Sequence, residues 1–419
     1  MLLKTLLNYV EKHKSFVYGN TRLVSDNGPA RIEVPIEPRK NSRPLCSTCG
    51  QPGPTYDTQR PDCPRRFEFV PLWGIPVFLL YCMRRVDCEN CGVKVEKVPW
   101  AQGKHRLTTS FSRFLAVWAR RLAWNEVASV FGTTWSRVYD AVRWVVAWGR
   151  EHQDLSGVTA IGVDEIAYKK GHNYLTVVYQ LNDGCRRLLW IGKDRTEETL
   201  RGFFSWFGDT RSAAIEFVCS DMWKPYLNVI HSCAKKALHI LDRFHIMATM
   251  SRALDDVRRE EAQRLRAEGR EPVLKKSRWC ILKRVENLTK TQLAKLRELL
   301  SYNLKTMRAY LLKEDFQNFW EYISPTWAGK FLDAWCTRTM RSKIEPMKKV
   351  ARSLREHREL ILNWFKARKQ FSAGAVEGLN NKIKTTTKKS YGFRSVEALK
   401  IALYHTIGEL PLPPTTHEF

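Results

Sequence analysis

Hydrophobic and polar positions change period several times along the chain. The opening MLLKTLLNYVEKHKSF holds an apolar run broken at Lys4 and Asn8. It reads as an amphipathic helix and not as a signal peptide, because no small-residue cleavage site follows. The stretch FEFVPLWGIPVFLLYCMRRV is strand-like with several breaks. From Thr109 the spacing becomes helical, with Phe114, Leu115, Val117, Trp118 and Leu122 in one pattern. A break at Ala123-Trp124-Asn125 leads to a short helix that Gly132 ends. Thr133 or Thr134 can cap the next helix, which carries Trp135, Val138, Val142 and Val145/Val146 at helical intervals.

After Leu155-Ser-Gly157 a β pattern takes over. TAIGVDEIAY, Tyr174–Leu181 and Arg187–Gly192 read as three strands, with Asn182-Asp-Gly turning between the last two. Thr196–Phe207 reads as a helix with Glu197 and Glu198 in its first turn. Ile215–Asp221 is a strand ending in a carboxylate, a helix runs through Tyr226 and Ile230, and Lys236–Asp242 is a further strand. Three meandering strands followed by alternating helices and strands is the order of an RNase H-like fold. Between Ser251 and Gln370 strand signals nearly vanish, and charge-rich segments with i,i+4 pairs predict helices around Trp279, Trp320, Trp327, Trp335 and Trp364, read mainly as core.

The expected fold class is therefore multidomain, α+β and α/β: a zinc ribbon, a helix-turn-helix, and an RNase H-like catalytic domain interrupted by a long all-α insertion. The expected divisions are an N-terminal segment 1–40, a zinc-binding ribbon 41–101 and a helix-turn-helix domain 102–153. The catalytic domain's first part follows at 158–250, then the insertion 251–370, the catalytic domain's last part 371–410 and a tail 411–419. A length of 419 residues suffices for roughly two to four domains. Hydrophobic residues at 44% and fifteen tryptophans argue for folded cores. No segment approaches the ~18 uninterrupted apolar residues of a transmembrane helix, so the default location is the cytosol.

Charge narrows the partner. Lys+Arg 70 against Asp+Glu 43 leaves +27, which suits nucleic acid, with a membrane surface the weaker alternative. The helix pair with its glycine turn matches the helix-turn-helix plan, whose second helix would present Thr134, Ser136, Arg137 and also Arg143 to a major groove. An ordinary three-helix bundle is the alternative.

Of the eleven cysteines, four form two CxxCG units, Cys46/Cys49 and Cys88/Cys91. Two residues between thiolates let both face one ion, and four such ligands suit tetrahedral Zn²⁺ in a structural role. The intervening stretch fits a ribbon in which each knuckle caps a hairpin. Cys63 and Cys82 read as packing residues.

Asp164 and Asp221 stand at the polar ends of strands that are neighbours in an RNase H-like sheet, so both would face one crevice. Paired carboxylates repel unless bridged by cations, and hard oxygen ligands suit Mg²⁺; two such ions serve phosphodiester chemistry. Glu165 should point to the opposite face and is a reserve candidate. In SAGAVEGLNNKIKTTTKKSYGFR a lone acid, Glu377, sits among basic residues. On a closing helix it can reach the same metals, with Asn380 and Asn381 one turn away to contact DNA or orient it. Lys382, Lys384, Lys388, Lys389 and Arg394 would hold phosphates.

CSTCG…CENCG, WNEVASVFGTTWSRVYDAV, IGVDEIAYKKGHNYLTVVY, SDMWKPY, LDRFHIM and AVEGLNNKIKTTTKKSYGFR together resemble the ISL3 group of bacterial insertion-sequence transposases, DDE enzymes, over nearly the whole chain. The resemblance implies a triad of Asp164, Asp221 and Glu377 holding two Mg²⁺ ions, with Mn²⁺ able to substitute, beside a structural Zn²⁺. It implies an enzyme that binds the terminal inverted repeats of its element as double-stranded DNA, cuts there, and joins the freed 3′-hydroxyls to target DNA. A homodimer in the DNA complex, a cytoplasmic, nucleoid-associated location and no membrane partner go with it. Asp242 and His245 match the LDRFH motif as accessory candidates, with a helix cap and a packed histidine as the alternative. Cys82 and Cys185 depart from the expected pattern. A structure-directed nuclease and a non-catalytic repressor are the rival functions.

Overall fold

The computed structural model describes residues 3–414 apart from 26, 27, 60, 61, 104, 170, 172, 271 and 370–372. The chain forms two compact units, Met1–Asp154 with Ile383–Phe419, and Leu155–Lys382. The expected catalytic segment 371–410 is thus divided between them.

The first unit begins with α1 (Leu3–Val10) and the strands β1 (Phe16–Tyr18), β2 (Arg22–Val24) and β3 (Arg31–Pro38). Next come β4 (Thr55–Thr58), β5 (Arg65–Leu72), β6 (Ile75–Tyr81), β7 (Arg84–Cys88) and β8 (Gly92–Val95). One sheet has the order β1-β3-β6-β5 with β2 on β3, and another the order β4-β7-β8. This changes the ribbon expected over 41–101. The hairpin β5–β6 leaves the cysteine knuckles and joins residues 16–38, pairing β6 parallel to β3 from Ile32↔Val77 to Pro35↔Leu80. The reason lies in its alternation: Phe67, Phe69, Val77, Leu79 and Tyr81 are buried and need a larger apolar face than a small ribbon has. Trp100 fills that face, edge-on to Phe16, Phe67 and Tyr81. A buried Glu96 ties the sheets together. It accepts from the Tyr81 hydroxyl at 2.5 Å and pairs with the Arg84 guanidinium at 2.9 Å.

Three helices follow, α2 (Thr109–Ala119), α3 (Trp124–Val130) and α4 (Trp135–Glu151). Thr108 caps α2 by accepting from Phe111 N, and Thr134 caps α4 by accepting from Arg137 N. Gly132, at φ +60°, makes the turn between α3 and α4, a conformation that L side chains rarely adopt.

The second unit opens with β9 (Ala160–Lys169), β10 (Asn173–Gln180) and β11 (Arg187–Lys193), then α5 (Glu197–Phe207), α6 (Asp209–Ala213), β12 (Phe217–Ser220), α7 (Lys224–Cys233) and β13 (Leu238–Leu241). The sheet order is β11-β10-β9-β12-β13. The first three strands are antiparallel, and β12 runs parallel to both β9 and β13. Phe203, Phe207, Val218, Val229 and Ile230 from this segment are buried together with Ile161, Val163 and Val178.

The helical stretch begins earlier than expected, with α8 (Arg243–Ala267) starting directly after β13. It continues through α9 (Arg278–Leu282), α10 (Lys290–Leu300), α11 (Lys305–Gln317), α12 (Pro325–Arg341), α13 (Glu345–Glu356) and α14 (Arg358–Lys366). Trp320, Trp335 and Trp364 join its core, whereas Trp279 and Trp327 are exposed. A buried acid, Glu261 of α8, caps α11 by accepting from the backbone N–H groups of Lys305 and Thr306. The last helices are α15 (Ala373–Lys389) and α16 (Val396–Ile407). The first turns of α15 belong to the second unit; its end and α16 return to the first. There Gly149 of α4 lies so close to the final segment that a Cβ would sit 2.7 Å from the Pro411 carbonyl oxygen. Among the described residues no helix is long and apolar enough to cross a membrane.

Candidate active site

Register sets the geometry. Gly162 of β9 pairs with Cys219 of β12, so Asp164 and Asp221 each lie two residues beyond the same rung. Ser220 pairs with Leu241, so Asp221 and Asp242 are the next residues along β12 and β13. Three aspartates from three adjacent parallel strands therefore stand at one level. Asp221 does follow the end of its strand, but Asp164 does not, because β9 continues to Lys169 against β10 and pairs Asp164 with Val177. Asp164 ends only the part of β9 that β12 covers.

The face of β9 that bears Gly162 and Asp164 is covered by α15. A Cβ at Gly162 would lie 3.0 Å from a Val376 methyl, so glycine permits the close approach. One turn beyond Val376, Asn380 donates its amide to Asp164 Oδ2 at 2.5 Å and accepts from the Tyr179 hydroxyl at 2.7 Å. The other Asp164 oxygen accepts from Glu165 N at 2.7 Å. Asn380 is thus turned inward to the aspartate. Val376, Leu379 and Ile383 form the buried side of the helix, and Glu377 is exposed. His245, in the first turn of α8, reaches to 3.8 Å from Asp164 and 4.0 Å from Asp242. Asp242 also caps α8, accepting from Phe244 N.

Sequence reasoning missed Tyr179 and Arg195. The Arg195 guanidinium forms an ion pair with Glu165 and lies 3.7 Å from Asp221. Asp221 Oδ1 accepts from Trp223 N at 3.0 Å. No motif marks Arg195; its place beside a helix cap, Thr196, conceals a tertiary role.

Burial governs the electrostatics. It pushes the Asp164 carboxyl up, against the Asn380 and Glu165 hydrogen bonds. It raises Glu165 to about 7, opposed by the Arg195 charge, and Asp242 to about 6, where the Asp164 and Glu377 charges add to it. Asp164, Asp221 and Asp242 thus stand level, with the His245 imidazole near two of them and the Arg195 guanidinium near the third, a set of hard oxygen donors that fits divalent cations.

The four cysteines are gathered as the spacing predicts. Cys46, Cys49, Cys88 and Cys91 place their sulfurs within 4.8 Å of one another, the one such cluster of potential ligands among the described residues. Cys49 and Cys88 sulfurs are 3.5 Å apart, near the ~3.8 Å edge of a tetrahedron with ~2.3 Å Zn–S bonds. Backbone hydrogen bonds from Cys49 and Thr48 lower Cys46 to about 6, while the neighbouring Cys49 thiol and burial push Cys91 up to about 12. Burial and the neighbouring thiols push Cys88 up as well, and for both cysteines this is a penalty that a bound cation would offset. Cys63 is exposed and not a packing residue, whereas Cys82 is half-buried.

Several residues expected at a DNA surface have protein partners. Arg137 pairs with Glu68 of β5 at 2.6 Å, and Arg143 with Asp140 at 2.9 Å. Lys389 donates to the Arg120 carbonyl at 3.2 Å. Thr134 and Ser136 are exposed and bonded to each other. Asn381, Lys382, Lys384, Lys388 and Arg394 are exposed.

The family model for ISL3-type DDE transposases, described as "Transposase", matches residues 161–403. The chain is 29% identical over 385 residues to the transposase for insertion sequence element IS1001 of Bordetella parapertussis, covering 91% of this chain and 93% of that one. It is 30% identical over 412 residues to the transposase for insertion sequence element IS1557 of Mycobacterium tuberculosis, covering 93% and 91%. The matched segment contains all three aspartates and α15, and the chain belongs to the ISL3 family of insertion-sequence transposases.

Proposed function

We infer that the chain binds the terminal inverted repeats of its own element and performs Mg²⁺-dependent strand cleavage and strand transfer in an RNase H-like core. The observation that carries this is the register: Asp164 and Asp221 are level on adjacent strands, and α15, which bears Glu377, packs over the same face. The three acids would hold two metal ions, Mg²⁺ or Mn²⁺. Bound there, the ions would supply Lewis-acid activation of the attacking oxygen and stabilisation of the leaving one. The chain's own contribution is preorganisation. Tyr179 and Asn380 fix Asp164, the Trp223 backbone fixes Asp221, and His245 stands beside both Asp164 and Asp242. Water and then a 3′-hydroxyl would attack in line, with no covalent protein–DNA intermediate.

The four cysteines would hold a structural Zn²⁺, and the zinc-bearing sheet with α2–α4 would recognise DNA ends. With Arg137 and Arg143 paired internally, the exposed Lys384, Lys388 and Arg394 would be the better contacts, beside Thr134, Ser136 and Lys382; a DNA phosphate could still compete for the arginines. Synapsis of two ends calls for a homodimer on DNA. The work would be done in the cytoplasm, at the nucleoid.

The test is Mg²⁺-dependent cleavage of DNA carrying the element's terminal repeats by the wild type, Asp164→Asn, Asp221→Asn and Glu377→Gln. Loss of cutting in each variant is expected; normal cutting by all three overturns the site. Strand-transfer products distinguish a transposase from a nuclease on the same core.

A further inference from the structure

We propose that Glu165 is a positioning residue that keeps Arg195 from capturing Asp221, so that this aspartate stays open to a divalent cation. The proposal rests on the reading of Asp221 as a metal ligand. Arg195 sits between two carboxylates and divides itself unequally. Its Nε faces Glu165 in a tight ion pair, while its terminal nitrogen stands off from Asp221 Oδ2 at 3.7 Å. The guanidinium is held in that place by rings, lying 4.1 Å from the centroid of Trp223 and 5.9 Å from that of Tyr174. Trp223 serves twice, because its backbone N–H also holds Asp221 Oδ1. Asp221 is thus aimed by one oxygen and left with the other facing a cation slightly beyond hydrogen-bond reach.

The side chains of Arg195, Glu165 and Asp221 are 26%, 19% and 15% exposed, so water only partly screens them. A guanidinium freed from Glu165 would turn to the nearest carboxylate and bind it with charge-assisted hydrogen bonds. That carboxylate is Asp221, and a metal would then have to displace an arginine. Glu165 therefore serves metal binding without being a ligand, by occupying the competitor. It lies on the opposite face of β9 from Asp164, as alternation along a strand requires, so its charge meets Arg195 and not the α15 side.

The experiment is titration of the full-length protein with Mn²⁺ alone, without DNA, with free Mn²⁺ read by electron paramagnetic resonance. Glu165→Gln should weaken Mn²⁺ binding by about tenfold, in the range of second-sphere changes at metal sites. Glu165→Asp, which keeps the charge, should retain most of the affinity. The double variant Glu165→Gln/Arg195→Met should recover to within about threefold of wild type, because the competitor has gone with its restraint. A merely structural role, or direct ligation by Glu165, predicts instead a double variant at least as weak as Glu165→Gln. That result, or unchanged affinity in Glu165→Gln, overturns the proposal. Wild-type Mn²⁺ binding by both Asp164→Asn and Asp221→Asn would overturn the metal-site reading itself and this proposal with it, a pattern distinct from failure of the Glu165 role alone.

Discussion

The cysteine cluster and the carboxylate cluster are assembled in opposite ways. The four sulfurs come from two short knuckles, each closed by a glycine at positive φ, Gly50 and Gly92. The carboxylates come from β9, from the residues after β12 and β13, and from α15; the hydrogen bond that joins Asp164 to Asn380 spans 216 positions. Four sulfurs would fill the coordination of a tetrahedral ion and leave no position for substrate. Asp164 is buried, whereas Glu377, the acid of α15 proposed to join it, is exposed. A site made of local turns stabilises a fold, whereas a site hung on sheet register depends on a fold already made.

The sharpest break of this comparison is metal removal. Stripping Zn²⁺ with a chelator, or Cys88→Ser, should unfold the β4–β7–β8 sheet, with a stake of about 10 kcal/mol. Circular dichroism and zinc content check this, and Mn²⁺ binding at the carboxylates should survive. Asp164→Asn should do the reverse: an unchanged melting profile and cleavage reduced at least about a thousandfold, since several kcal/mol of charge stabilisation go with the ligand. Asn380→Ala leaves Asp164 held by the Glu165 backbone N–H alone, and a loss of about 10- to 100-fold in Mn²⁺ affinity or cleavage is expected.

The smallest effect concerns a site outside both clusters. His405 in α16 is buried, and neither ring nitrogen has a hydrogen-bond partner among the described residues. His405→Leu should stabilise the protein by about 1–2 kcal/mol in thermal or urea unfolding at pH 7. Burial lowers His405 to about 3 and His239 to about 4. Below the ordinary histidine range the unfolded chain takes up protons that the folded one refuses, so stability falls as pH drops from about 6.5 toward 4. His405→Leu should lose less over that interval, measured as the shift in melting temperature between pH 7 and pH 5.

What the sequence makes legible follows the same division. Knuckle spacing, the Gly132 turn, the Thr134 cap and the strands β9–β13 are local signals, and each stands where the pattern put it. Residues 16–38 carry no such local signal, because β1 and β2 are three residues long and β3 finds its parallel partner some forty residues away. Asp164 reads as a strand end because the polar run DE interrupts the apolar pattern, yet the hairpin with β10 carries the strand onward. Arg137 reads as a base contact because nothing local shows that Glu68 will arrive beside it. Trp279 and Trp327 fit a helical core pattern but are exposed, which periodicity alone does not separate from burial. The inward turn of Asn380 and the sharing of Arg195 are side-chain choices that only tertiary packing makes.

The return of the last residues to the first unit has a consequence in time. The N-terminal 154 residues leave the ribosome first, but His405, Leu410 and the rest of 383–419 that complete their unit come last. At roughly 5–20 residues per second, the intervening segment of Leu155–Lys382 takes about 10 to 45 s to synthesise. For that interval the face of α4 around Gly149 waits uncovered. A chain interrupted anywhere before α16 would lack a finished first unit, even where the whole of Leu155–Lys382 had already been made.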